Sequence, residues 1–262
     1  MGNLATNLKD AARQYPQRPA VILRGSVLGY ADLDELSARV AGALLAHGVR
    51  PGERVGLALA EPDAPAFAVL YYGALRTGAV VAVADPRLGG QGARRCFEAP
   101  GTRIVFATAG FPVPPASEPD AAWVPVGPGL LDQLAHWPQH HEIVYRPDEA
   151  VAVAYYGPGT ADRLHGAELT HGEMRAHAFA AATEPPVLEP DDLVLCRLPL
   201  CHPAGQTWGL NAAVLAGACL AVAPDAATGC TPRRPRLRRG ATGAHRLTPG
   251  HRGPNPALGR RP

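Results

Sequence analysis

An α/β fold, with largely parallel sheet or sheets flanked by helices, is predicted for residues 1–224 of this 262-residue chain, and three observations predict it. Short apolar runs alternate with longer amphipathic segments, the order that builds parallel strands joined by crossover helices. Glycine and proline punctuate the joins, at Gly48, Pro51-Gly52 and Gly78 among others. The composition, 47% hydrophobic, supplies apolar surface for a large core and one or two domains.

Taken in order, Ala20 to Leu23 reads as a short strand. Residues 32–47 read as a helix, because Leu33, Leu36, Val40 and Leu44 fall at three-to-four spacing on one face. Asp32 followed by Glu35 resembles a capping arrangement at its start, and Gly48 is placed to end it in the left-handed conformation. Pro51-Gly52 turns the chain into a strand over Val55 to Leu59. A helix over Asp63 to Arg76 follows, and Gly78 leads into a strand over Ala79 to Val83. Ile104 to Ala107 and Trp123 to Val126 are further strands, separated by a proline-rich connection from Phe111 to Pro119. His136 to Pro147 reads as a surface loop. Ala150 to Tyr156 is an apolar strand, Thr170 begins a helix that runs to Ala182, and Gly166 to His171 reads as the entry to that helix. Leu193 to Leu195 is a strand, Ala204 to Leu215 a helix, and Ala218 to Val222 a strand.

From Asp225 the character changes. No acidic residue follows Asp225, while arginines crowd residues 233–261, and the stretch from Thr231 has three leucines and no periodicity. Such a segment buries too little apolar surface to offset the entropy of ordering, so residues 225–262 are expected to form a disordered basic tail. A basic, unpatterned tail that begins inside a domain is also what a shifted reading frame in GC-rich DNA produces. The tail has no aromatic residue on which bases could stack, so specific nucleic-acid recognition is not predicted.

The net charge of +2 gives no whole-molecule signal for nucleic acid or anionic membrane. The five cysteines are odd in number and lack a Cys-x-x-Cys spacing, which fits reduced thiols in a cytoplasmic protein. The start of the chain lacks a basic region followed by an apolar run, and the longest apolar stretch, Leu210 to Ala223, is too short and glycine-broken to span a bilayer.

Several stretches in one order carry a family resemblance. They are Gly48-Val49-Arg50-Pro51-Gly52-Glu53-Arg54-Val55, Tyr72-Gly73-Ala74-Leu75-Arg76-Thr77-Gly78-Ala79-Val80, Asp85-Pro86-Arg87-Leu88, Gly166 to His171, and Leu198 to His202 running on through Gly205-Gln206-Thr207. Through them residues 1–224 resemble part of the N-terminal domain of the adenylate-forming superfamily, the acyl-CoA synthetases and related AMP-dependent ligases. The resemblance implies ATP-dependent activation of a carboxylate with magnesium, then transfer of the acyl group to a thiol, usually coenzyme A. A medium- or long-chain fatty acid or another carboxylic acid is the implied substrate.

The family's phosphate loop reads Tyr-Thr-Ser-Gly-Thr-Thr-Gly, any residue, Pro-Lys-Gly. By resemblance, Tyr156, Gly157, Gly159, Thr160, Arg163, His165 and Gly166 are the candidate nucleotide-binding residues, and His202 and Gly205 the candidate substrate-binding ones. Tyr156, Gly159, Thr160 and Gly166 match the loop. Gly157 and Pro158 replace a hydroxyl pair and remove one N–H donor, Ala161 replaces a threonine, Asp162 a glycine, Leu164 the proline and His165 the lysine. A negative charge about 4 Å from one phosphate charge costs about 4 kcal/mol at an effective dielectric of 20. A fraction of that at Asp162 weakens ATP affinity about tenfold. Arg163 offsets part of this by bidentate pairing, whereas His165 is mostly neutral at neutral pH.

The family's adenine pocket, ribose-binding acid, magnesium-binding acid and carboxylate-orienting lysine lie further toward the C-terminus. This chain has no lysine after Lys9, so no catalytic residue and no metal ligand is assigned. His202 is equally readable as a loop-packing histidine. Cys201 and His202 are adjacent and point apart, and no acid orients the histidine, so they do not read as a nucleophile and base. His165, His171 and His177 recur every six residues, which on a helix places His171 and His177 on different faces and argues against zinc. His136, His140 and His141 read as solvated loop residues. Two functions follow: a truncated, catalytically impaired acyl-CoA synthetase-like ligase, or a non-catalytic nucleotide- or partner-binding remnant whose exposed apolar surface meets a protein partner.

Overall fold

A computed structural model describes residues 2–23, 26–60, 64–85, 88, 92, 96–97, 101–109, 111, 121–127, 129–156, 167–222 and 230–233. In chain order the elements are α1 (Thr6–Gln14), β1 (Pro19–Leu23), β2 (Ser26–Gly29), α2 (Tyr30–Ala46), β3 (Arg54–Ala58), α3 (Ala64–Arg76), β4 (Val80–Ala84) and β5 (Thr102–Thr108). There follow β6 (Ala122–Val126), α4 (Leu130–Leu134), β7 (Val151–Tyr156), β8 (Ala167–Thr170), α5 (His171–Thr183), β9 (Leu193–Cys196), a π-helix (Gly205–Asn211), α6 (Ala212–Ala216), β10 (Cys219–Val222) and β11 (Cys230–Arg233).

The strands form two sheets. One has six strands in the order β6-β5-β3-β4-β7-β8, all parallel to their neighbours except the edge strand β8. The other has five in the order β11-β9-β10-β1-β2, with β9, β10 and β1 parallel and both edge strands antiparallel. The predicted, largely parallel α/β fold is what the chain adopts. Every residue of β4 is buried, as expected of a parallel strand covered on both faces.

Helices fill the space between the sheets. α3 touches β3 and β4 of one sheet and β1 of the other, while α5 lies on β7 and packs against the π-helix and α6, which meet β9 and β10. α2 and α3 cross closely at Gly73, where a Cβ would meet Val40 Cγ1 at 2.4 Å. The main core runs through this layer, and a smaller one covers the outer face of the six-stranded sheet with Phe97, Tyr156 and Ala82.

Three local expectations are corrected. α2 starts at Tyr30 with Gly29 before it and no side-chain cap, so Asp32 lies inside the first turn and Glu35 pairs with Arg39. Tyr30 sets that start: it is fully buried, and its hydroxyl donates toward the Ala213 and Ala218 carbonyls. Ala167–Thr170 is strand, not helix entry, because it pairs with β7 before Thr170 caps α5. Within the tail, Cys230–Arg233 pairs with β9, since β9 otherwise presents an open ladder of backbone groups; the structureless expectation fails there. The rest of the tail, and most of Phe111 to Pro119, lie outside the described residues.

Candidate functional site

β7 carries the first candidate residue. Its last residue, Tyr156, lies beside Ala84 at the carboxyl end of the parallel strands, and Asp85 N–H bonds to the Tyr156 carbonyl at 3.1 Å. Ligand sites of open parallel sheets form outside such carboxyl ends. The Tyr156 side chain is buried in the outer-face cluster that also holds Ala58, Val80 and Phe97. Its hydroxyl accepts from Arg54 Nη1 at 2.9 Å, and Arg54 Nη2 pairs with Glu168 Oε1 of β8 at 2.6 Å. Gly157, Gly159, Thr160, Arg163, His165 and Gly166 fall between β7 and β8 and lie outside the described residues, as do Pro158 and Asp162.

Tyr155, one residue earlier, takes the opposite face because side chains alternate along a strand. Its hydroxyl donates to Gln206 Oε1 at 2.8 Å, and Gln206 Nε2 donates to the Leu200 carbonyl at 2.8 Å. The strand that leads into the loop is thereby joined to the segment that carries His202 and Gly205. The turn at His202 is tightly made: its N–H bonds to the Pro199 carbonyl at 2.9 Å, and its Nδ1 accepts from Ala204 N–H at 3.1 Å. With Nδ1 accepting, the neutral ring carries its proton on Nε2. The residue itself is exposed. Gly205 is buried, and a Cβ there would stand 2.2 Å from the Pro199 carbonyl oxygen, so only glycine fits without a shift.

At the other end of the π-helix, Tyr72 donates to Asn211 Oδ1 at 2.9 Å and Asn211 Nδ2 donates to the Tyr71 hydroxyl at 3.1 Å. Burial holds the Tyr71, Tyr72 and Tyr155 phenols above their ordinary pKa, so all three stay neutral, Tyr72 and Tyr155 as donors and Tyr71 as acceptor. The sequence reading assigned none of these five residues a role. Their signal was present: Gln206, Thr207 and Asn211 interrupt an otherwise apolar run from Pro203 to Val222.

The histidine candidates separate. His171 is fully buried and its Nδ1 accepts from Leu4 N–H at 3.0 Å, whereas His177 is exposed on the same helix, and His165 lies outside the described residues. Among the described residues no group of three or more His, Cys, Asp or Glu side chains could hold a metal ion. Burial pushes the Cys219 thiol up to about 12 and the Cys96 thiol up to about 11, so neither is a reactive thiolate at neutral pH. No helix of the described residues is long and apolar enough to cross a membrane.

Two sheets with a helical layer between them are the arrangement this chain shares with solved structures of known proteins. The solved structures with the same fold include a benzoate CoA ligase from Burkholderia xenovorans, with a TM-score of 0.72 and 22% identity over 85% of this chain and 45% of that one. The N-terminal domain of FACL13 from Mycobacterium tuberculosis gives a TM-score of 0.71 and 23% identity over 86% of this chain and 57% of that one. The profile of the AMP-binding enzyme family matches residues 8–238, and the chain belongs to that family. A feruloyl-CoA synthase from Amycolatopsis sp. is 30% identical over 74% of this chain and 38% of its own length. The fatty acid–[acyl-carrier-protein] ligase ScoC from Streptomyces coeruleorubidus is 29% identical over 75% of this chain and 39% of its own. The chain thus spans about two fifths of the length of these curated relatives, and the family match runs on past the compositional break at residue 225.

Proposed function

We propose that this chain is the N-terminal, substrate-side part of an acid–thiol ligase that activates carboxylates, and that its phosphate loop supports little or no adenylation. The observation that carries the reading is the joint placement of β7 and the His202 turn. The strand that ends at Tyr156, where the loop begins, is hydrogen-bonded through Tyr155 to Gln206, next to the glycine that seats the helix. The relatives' names speak of ferulate and fatty acids, and a carboxylic acid of aromatic or fatty type is the substrate class proposed here, with coenzyme A or a carrier thiol as acceptor.

The donor set in residues 157–166 does not fit a triphosphate well. Pro158 has no N–H, Asp162 adds a negative charge, and His165 stands where a permanent cation is needed. No magnesium ligand is proposed among these residues. The test is carboxylate-dependent ATP–pyrophosphate exchange on the purified chain with benzoate, ferulate and octanoate. Exchange at or near background is expected, and robust exchange with any of them overturns the claim of impairment.

A further inference from the structure

The helix after His202 has an unusual register, and two buried side chains account for it. Over Gly205–Asn211 the backbone closes at five residues rather than four; the Ala212 N–H, for instance, reaches the Thr207 carbonyl. Such turns are rare and occur frequently at functional sites. Gln206 and Asn211, at its two ends, are 0% and 1% exposed, and each amide has both of its groups paired. Their tyrosine partners are Tyr155 on β7 and Tyr71 and Tyr72 on α3, and Tyr71 lies near enough to Tyr155 to interact with it, so the two amides face one side.

The geometry explains why the register and the pairing go together. In an α-helix, residues five apart stand roughly 140° from each other, so the two amides could not both face that side. Closing each turn one residue later brings them back toward one face. An α-helical register would leave one buried amide unpaired, and a buried unpaired amide is costly. The glycines make room for the wider turn: Gly205 lies against the Pro199 carbonyl, and a Cβ on Gly209 would stand 2.9 Å from Cys196 Sγ. Gln206 also grips the His202 turn directly, through the Leu200 carbonyl and through its own N–H to the His202 carbonyl at 3.2 Å.

We infer that Gln206 and Asn211 are positioning residues that hold residues 205–211 in the π-helical register and thereby fix the His202 turn relative to β7. Its link to substrate rests on the proposed reading of His202 and Gly205 as part of a carboxylate site. The register itself does not rest on that reading.

Trp208 reports the register, because it is 61% exposed while Thr207 and Gly209 on either side are buried. In a chain carrying Trp123→Phe and Trp137→Phe it is the sole tryptophan. Replacing both amides by apolar residues of similar size, Gln206→Met with Asn211→Leu, removes the demand for tyrosine partners and lets the segment relax to an α-helix. That rotates Trp208 from solvent toward its buried neighbours. At least a twofold fall in acrylamide quenching, with a blue-shifted emission, is expected in a chain that still unfolds cooperatively. Quenching that stays at the wild-type value in that folded variant overturns the inference. Should the double variant not fold, Tyr155→Phe removes one hydroxyl only; it is expected to move the quenching in the same direction, and an unmoved value there overturns the inference equally. Calorimetric binding of benzoate and octanoate separates the two readings. If the wild type binds either probe, Gln206→Met should weaken it at least tenfold, and unchanged binding overturns the positioning role. If the wild type binds neither, the carboxylate-site reading falls, and the quenching alone decides the register.

Discussion

The Tyr156 hydroxyl accepts a hydrogen bond from Arg54 Nη1 at 2.9 Å, so the phenol points back along the sheet toward the start of β3. Arg54 is the first residue of β3 and Tyr156 the last of β7, and the same guanidinium pairs with Glu168 on β8. Arg54 therefore ties both strands that flank the loop to a third strand of the sheet. Tyr156→Phe is expected to cost about 1.5–3 kcal/mol in urea unfolding, the range of a hydrogen bond to a charged group. Nucleotide affinity should not change, which fluorescent-nucleotide titration would check.

Repair of the loop gives the opposite pattern. Asp162→Gly with His165→Lys removes a repulsive charge and adds a permanent cation, and should raise ATP affinity at least about tenfold while leaving the melting temperature nearly unchanged. Equilibrium dialysis with labelled ATP at fixed salt is the measurement.

Gly205→Ala places a methyl group against a backbone carbonyl, which cannot swing aside as a side chain can. Overpacking of this kind typically costs about 1–3 kcal/mol. Thermal unfolding should show the loss, and the His202 turn should exchange its amide protons faster.

Arg76 is 1% exposed and is paired with Asp34 and hydrogen-bonded to Ser37 Oγ at 2.9 Å. Asp34→Ala leaves a guanidinium buried without its carboxylate, a change that typically costs about 3–5 kcal/mol. The double variant Asp34→Ala, Arg76→Met should recover much of that loss, and a double-mutant cycle in urea reads the coupling directly.

His171 predicts a pH dependence. Burial, with Arg146 and Arg175 nearby, lowers its pKa to about 4 from the ordinary 6.5. The folded state therefore binds fewer protons than the unfolded chain at intermediate pH. The stability contributed is fully present above pH 6.5 and is lost as pH falls toward 4, by up to about 3 kcal/mol. His171→Asn, which keeps an acceptor for the Leu4 N–H, should flatten the stability curve across that window. Urea unfolding at pH 7, 5.5 and 4.5 would show it.

Element types were legible where one cause dominated. The α2 periodicity, the all-apolar β4 and the turn glycines Gly48 and Gly78, both at positive φ, are local signals that the fold obeys. What could not be read came from distant partners. Tyr30 begins α2 early because carbonyls some 180 residues away receive its hydroxyl. The π-helix looked like plain helix because its register answers to tyrosines on β7 and α3. The Thr170–Glu173 capping box was a local signal and was passed over. At the candidate site, resemblance singled out Tyr156, His202 and Gly205, but no spacing rule could show that the Tyr156 hydroxyl meets Arg54, 102 residues earlier.

The sheet topology carries a consequence for the order of events during synthesis. Strands β3 to β8 come from one continuous stretch, residues 54–170, so the six-stranded sheet can assemble as soon as that stretch leaves the ribosome. The five-stranded sheet pairs β1, from residues 19–23, with β10, from residues 219–222. The β1–β2 hairpin must wait, with one strand edge open, until β10 is made, long after it. That interval, rather than the finished fold, is when this chain is most exposed to wrong pairing.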